Sequence, residues 1–217
     1  MDAQAVTVAP SASHLQIAGG FHPTMDDDHL PAGTKTLLLL APQEPGFWTH
    51  VSSAPEWSDG LPDPLDRWSR RVIDDVADVT QARALYPFGG PPHWPFLGWA
   101  TRTGQIWSSP IGLLVHNVQG LWISFRGALA LPYMITLAEP PTSPCATCAD
   151  KPCEAACPVL ALTAAGYDVP ACKAFVTSDQ GLPCRSQGCA VRAACPVSQT
   201  WPRSSAQSAF HMEAFVS

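Results

Sequence analysis

Apolar positions fall into one unbroken run, one helical stripe and a pair of shorter runs. The unbroken run is TKTLLLLAP (34–42), closed by Pro42, which predicts a buried strand. Downstream, Leu65, Trp68, Val72, Val76 and Val79 recur at spacings of three and four, the stripe of an amphipathic helix. Asp63-Pro64 in front supplies an N-cap residue and a proline at the first helical position. Asp66, Arg70, Asp74, Asp75 and Asp78 lie mostly off that stripe, so the helix is expected to pack, not to catalyse, and to end before Pro87. The shorter runs, SPIGLLVH (109–116) and GLWISFRGALALP (120–132), are separated by residues 117–119 and predict two antiparallel strands across a tight turn.

Between these elements the chain is polar and rich in proline. Residues 1–30 are expected to be irregular, and Asp26-Asp27-Asp28 beside His29 reads as a solvated turn, because three adjacent acids point in different directions. Residues 43–62 read as a loop packed through Trp48 and Trp57. Residues 86–104, with Phe88, Trp94, Phe96 and Trp99, read as a long aromatic loop. Such a loop either covers a core edge, the stronger reading, or lines the pocket of a planar ligand. Arg126, inside an apolar run, is either an outward strand residue or a clamp for an anionic ligand. His116, at a strand end, is a turn or core histidine before it is a ligand. AEPPTSP (138–144) looks like a linker, dividing the chain into an α+β sheet domain over 1–139 and a second domain over 140–217.

Charge supports that division. Residues 1–139 hold 13 of the 18 acids and 7 of the 12 bases, whereas residues 140–217 hold five of each. The net charge of −6 argues against a general nucleic-acid binder, which carries a basic face, and the acidic N-terminal region is a candidate encounter surface for a basic protein partner. The first basic residue is Lys35 and Arg126 breaks the most apolar stretch, so neither an export signal nor a membrane span is expected, and a cytoplasmic protein is.

All eight cysteines fall between Cys145 and Cys195. The first group is Cys145-x2-Cys148-x4-Cys153-x3-Cys157-Pro158; the second is Cys172, then Cys184-x4-Cys189-x5-Cys195-Pro196. In a reducing compartment such a set reads as metal thiolates before disulfides. Structural zinc would want two Cys-x2-Cys knuckles, and only Cys145/Cys148 has that spacing. Eight thiolates with two Cys-Pro closures match two [4Fe–4S] clusters, in which the Cys-Pro ligand of each group crosses to the other cluster. That crossover assigns Cys145, Cys148, Cys153 and Cys195 to one cluster and Cys157, Cys172, Cys184 and Cys189 to the other. The long gaps 149–152 and 190–194 leave an exchange of Cys184 or Cys189 between clusters open. Asp168-Val169-Pro170 predicts the start of a helix carrying Cys172.

The cysteine region resembles the C-terminal ferredoxin module of epoxyqueuosine reductases and corrinoid reductive dehalogenases. It is closer still to small bacterial ferredoxin-like proteins, through KPCEAACPV, YDVPAC, GCAVRAACPV and AFHMEAF (209–215). Upstream, IGLLVHNVQGLWISFRGALALP resembles a hairpin of CblC-type B12-processing proteins, and PAGTKTLLLLAP an early strand of the reductase. The resemblance implies a nitroreductase-like sheet domain followed by a two-cluster bacterial-type ferredoxin domain. Two functions follow: an electron carrier serving a redox partner protein, or a reductase whose cobalamin or FMN is held by Arg126, His116 and Trp99. A structural metal scaffold is the third. The reductases place an acidic proton donor before a GWIGKN-type segment. Here no Asp or Glu occurs between Asp78 and Glu139, leaving Tyr86, His93, His116 and Tyr133 as proton-bearing groups.

Overall fold

The computed structural model describes Val6, residues 9–25, Asp27 and residues 29–217. The chain is α+β and divides into two compact units, Met1–Gln105 with Ser124–Pro140, and Ile106–Ile123 with Pro141–Ser217. One boundary between the units falls at Pro140/Pro141, and Ile106–Ile123 groups with the cysteine tail, not with the sheet.

The first unit is built on a four-stranded antiparallel sheet in the order β1-β2-β6-β3, with β1 Leu15–Phe21, β2 Thr36–Pro42, β3 Arg83–Leu85 and β6 Gly127–Leu131. All residues of β2 and β6 are buried, as an unbroken apolar run requires. β1 lies in the stretch expected to be irregular. Its Gly19-Gly20 pair hides the pattern, yet a Cβ on Gly20 would stand 2.5 Å from Leu38 Cδ2, so the small residue is what lets this edge strand close on β2.

Helices α1 Phe47–Ser52, α2 Pro64–Thr80 and α3 Phe96–Arg102 complete the unit, with a 3-10 turn at Pro55–Trp57. The loops expected over 43–62 and 86–104 thus each contain a helix, because Phe47, Phe96 and Trp99 need a regular backbone to reach the core. In α2, Leu65, Trp68, Val72 and Val76 are buried, but Val79 is 64% exposed; the buried face passes instead through Ile73, Ala77 and Thr80. Asp63 occupies the N-cap in a left-handed conformation and makes no side-chain cap. Asp27 is not solvated: it is buried and forks onto the Arg102 guanidinium, which holds its carboxyl well below the usual carboxylate range. Asp26 and Asp28 lie outside the described residues.

In the second unit, β4 Ile106–Ser108 pairs antiparallel with β5 Leu114–His116, and β7 Leu162–Thr163 with β8 Gly166–Tyr167. The expected hairpin of 109–116 with 120–132 does not form. β5 turns back on β4, only a single bridge links His116 to Gly120, and the later run supplies β6 to the other unit. The physical reason is the core: Ile111, Val115 and Leu121 pack with Leu162, Val191, Cys153 and Cys195, giving the cysteine tail apolar partners it lacks. Gly120, at φ 58°, brings the backbone so close to the tail that a Cβ would lie 2.4 Å from the Ser198 nitrogen. Leu121 N–H then donates to Ser198 Oγ at 2.8 Å.

The helices of this unit are α4 Pro144–Thr147, α5 Val169–Thr177, α6 Leu182–Gln187, α7 Ala190–Ala194, α8 Pro196–Thr200 and α9 Ser205–Val216, with a 3-10 turn at Pro152–Glu154. α5 starts where Asp168-Val169-Pro170 predicts, the Asp168 carboxylate accepting from Ala171 N–H at 2.9 Å. Among the described residues no helix is long and apolar enough to cross a membrane.

Candidate metal centre

Short elements deliver the cysteines one or two at a time. Cys145 sits in α4 and Cys148 ends it; Cys153 lies in the 3-10 turn. Cys195 separates α7 from α8, and Pro196 opens α8, as a Cys-Pro step favours. The other Cys-Pro behaves differently: Pro158 starts a turn closed by Leu160 N–H on the Cys157 carbonyl, and no helix follows. Cys172 is carried by α5, Cys184 by α6, and Cys189 caps α7. The α5–α6 connection is tight, since a Cβ on Gly181 would fall 1.9 Å from the Phe175 carbonyl oxygen.

Cys145, Cys148, Cys153 and Cys195 line one cavity of about 520 Å³, together with Lys151, Pro196 and Leu121. Burial pushes the Cys145 thiol up, and the neighbouring Cys195, Cys153 and Cys148 push it further, against Lys151. Cys153 is raised by burial and then by Cys195. The remaining four form a second neighbourhood. Cys172 is raised by burial, opposed by a hydrogen bond from Tyr167, and raised again by Cys189, Cys157 and Cys184. Cys184 is raised by burial, opposed by the Ala190 N–H, and raised again by Cys189 and Cys157. The two groups are crossed in sequence, each Cys-Pro cysteine standing with the other group's members.

All eight thiols are free, and Cys153, Cys184 and Cys195 are buried. An all-sulfur donor set of this kind suits iron–sulfur clusters or zinc. Among the described residues no three His, Cys, Asp or Glu side chains converge on a single-ion site.

Of the residues assigned to a flat cofactor, Trp99 and Arg126 lie in the sheet unit and His116 in the cysteine unit. Trp99 is buried in the sheet unit, its Nε1–H donating to His29 Nε2 at 3.2 Å. His116 belongs to the cysteine unit and is a turn organiser: its Nδ1 accepts from the N–H groups of Val118 and Gln119 at 3.2 and 3.1 Å. Arg126 does not point outward; its guanidinium is desolvated, its Nε–H donates to the Phe125 carbonyl at 3.0 Å and its Nη1 pairs with Asp66 at 3.3 Å. Arg126 and Asp66 line a cleft of about 530 Å³ walled by Phe88, Trp94, Phe96 and Phe125.

Asp66 escapes sequence reasoning, because nothing in the helix pattern marks a partner 60 residues ahead. Burial raises its carboxyl, and Arg126 partly offsets the rise. Two of the other proton-bearing candidates, Tyr86 and Tyr133, are engaged in hydrogen bonds. The Tyr86 hydroxyl donates to Asp74 at 2.5 Å, and burial pushes its pKa far up; the Tyr133 hydroxyl donates to the Thr80 carbonyl at 2.7 Å. No family model, curated protein or solved structure matches the chain.

Proposed function

We propose that this chain is an iron–sulfur redox protein holding two [4Fe–4S] clusters, one on Cys145, Cys148, Cys153 and Cys195, the other on Cys157, Cys172, Cys184 and Cys189. The observation that carries the reading is the gathering of eight free thiols into two crossed groups of four. When bound, such clusters supply single-electron transfer. The chain's own residues fix the thiolates on short helices and turns, and partial burial limits access of water. In this reading the cysteine unit is a bacterial-type two-cluster ferredoxin domain, the sheet unit is nitroreductase-like, and the physiological role is electron delivery to a partner protein in the cytoplasm, where thiols stay reduced. Anaerobic reconstitution with iron and sulfide tests it. A brown protein that dithionite bleaches reversibly supports the carrier; stoichiometric zinc, or metal that cannot be reduced, would identify a scaffold.

The aromatic cleft favours a second reading, a cobalamin- or FMN-dependent reductase. Its walls suit a flat ring system, and the ion-paired Arg126 and Asp66 set a charged, hydrogen-bonding group among them. Titration of the reconstituted protein with cob(II)alamin, hydroxocobalamin and FMN separates the readings. A shifted corrin or flavin spectrum that is lost in Arg126→Met supports the reductase, and unshifted spectra support the carrier.

A further inference from the structure

The turn that folds β5 back on β4 carries a polar group to the first thiol centre. Ser109 directly follows β4, and its backbone is fully used: its N–H donates to the Leu113 carbonyl at 2.8 Å, and its carbonyl accepts from Gly112 N–H at 2.9 Å. Gly112, at φ 77°, lets the chain turn that tightly. Only the hydroxyl is left over. Ser109 is 6% exposed and lines the cavity of about 520 Å³ that Cys145, Cys148, Cys153 and Cys195 also line. Its Oγ is sealed from water and has no hydrogen-bond partner among the described residues. Elsewhere on the same walls, Val115, Leu121, Pro196 and Val197 offer hydrocarbon. Thr147 already donates to the Pro144 carbonyl at 3.3 Å, and Asp150 is exposed. The acceptors bordering this space that nothing else engages are the sulfurs.

A buried hydroxyl that has given up water and found no partner is unfavourable, and such an orphan in a native fold marks a place where a further group belongs. We propose that Ser109 is the non-cysteine hydrogen-bond donor of the Cys145, Cys148, Cys153 and Cys195 centre, its O–H directed to a sulfur there and raising the centre's potential. The inference rests on the iron–sulfur reading and deepens it. A hydroxyl has one hydrogen to donate, and sulfur bearing negative charge accepts it. Reduction adds one electron to the centre, so the bond is stronger in the reduced state and favours it. Ser109 is a positioning and tuning residue; it transfers nothing itself.

The test is a potentiometric titration of the two-cluster protein followed by EPR, with ENDOR spectra in ordinary and heavy water. Cys148→Ser marks the first centre, since the couple it shifts or abolishes belongs there. Ser109→Ala should keep both clusters, lower the marked couple and remove one exchangeable proton coupling from its signal, while the other couple stays in place. Ser109→Thr keeps the hydroxyl and should keep both signatures. Should Ser109→Ala fail to load iron, Ser109→Thr and Ser109→Val, matched in size and differing in the hydroxyl, carry the comparison, and the valine variant should have the lower couple. A marked couple and a proton coupling that ignore loss of the hydroxyl would overturn the inference alone, and movement of the other couple in its place would do the same. A wild type without iron would overturn the parent reading as well.

Discussion

In the sheet unit, β2 and β6 are buried along their whole length, and Phe47, Trp68 and Trp99 are almost wholly removed from water. In the cysteine unit no strand exceeds three residues, and Cys153, Cys184 and Cys195 stand among its buried positions. One unit is closed by hydrocarbon; the other has thiols where a core would normally place leucines. Apolar burial of the first kind stabilises a fold without help. The second kind sets thiols beside a small apolar cluster of Ile111, Val115, Leu121, Leu162 and Val191, so on the iron–sulfur reading a bound cluster would add folding energy there.

The largest expected effect sharpens this contrast. Removing iron with a chelator should leave amide exchange slow in β2 and β6 but make it fast across α5–α9; uniform protection in metal-free protein would break the comparison. Leu39→Ala, in the middle of β2, should cost about 3 kcal/mol of sheet-unit stability, seen as a lower denaturation midpoint, while iron per chain stays unchanged. A parallel loss of iron would show that the units do not fold separately.

Arg102→Met strands the buried Asp27 carboxylate and should cost about 2 kcal/mol, below the range for fully buried pairs because Arg102 is partly solvated. The sign with pH is fixed by the lowered carboxyl. The pair's stabilisation is complete above the ordinary Asp pKa and fades as pH falls through the folded value far beneath it. Acid unfolding of wild type and Arg102→Met should therefore converge at the lowest pH. Smallest of all, Val79→Lys should change stability by less than about 0.5 kcal/mol, since Val79 faces water despite its place in the apolar periodicity.

Much of the sheet unit can be read from local pattern, because α2 and β2 owe their form to residues a few positions apart. What resists reading is pairing at a distance. The run 109–116 has the alternation of a strand, but whether it folds forward on 120–132 or back on Ile106–Ser108 depends on which core its apolar face joins. Arg126 sits in an apolar run because Asp66, far upstream, neutralises it. β1 is masked by two glycines, Gly20 pressed by β2 and Gly19 by Thr103. In the cysteine unit the number, spacing and Cys-Pro closures of the thiols are plain in the sequence, whereas the role of Tyr167 is not, since its hydrogen bond to the Cys172 sulfur exists only once β8 and α5 are folded.

Iron and acid-labile sulfide, counted on anaerobically purified wild type and joined to EPR of the dithionite-reduced protein, test the central claim most directly. The expected result is about eight of each per chain with signals from two interacting reduced clusters. Colourless protein, or zinc in place of iron and sulfide, would contradict it.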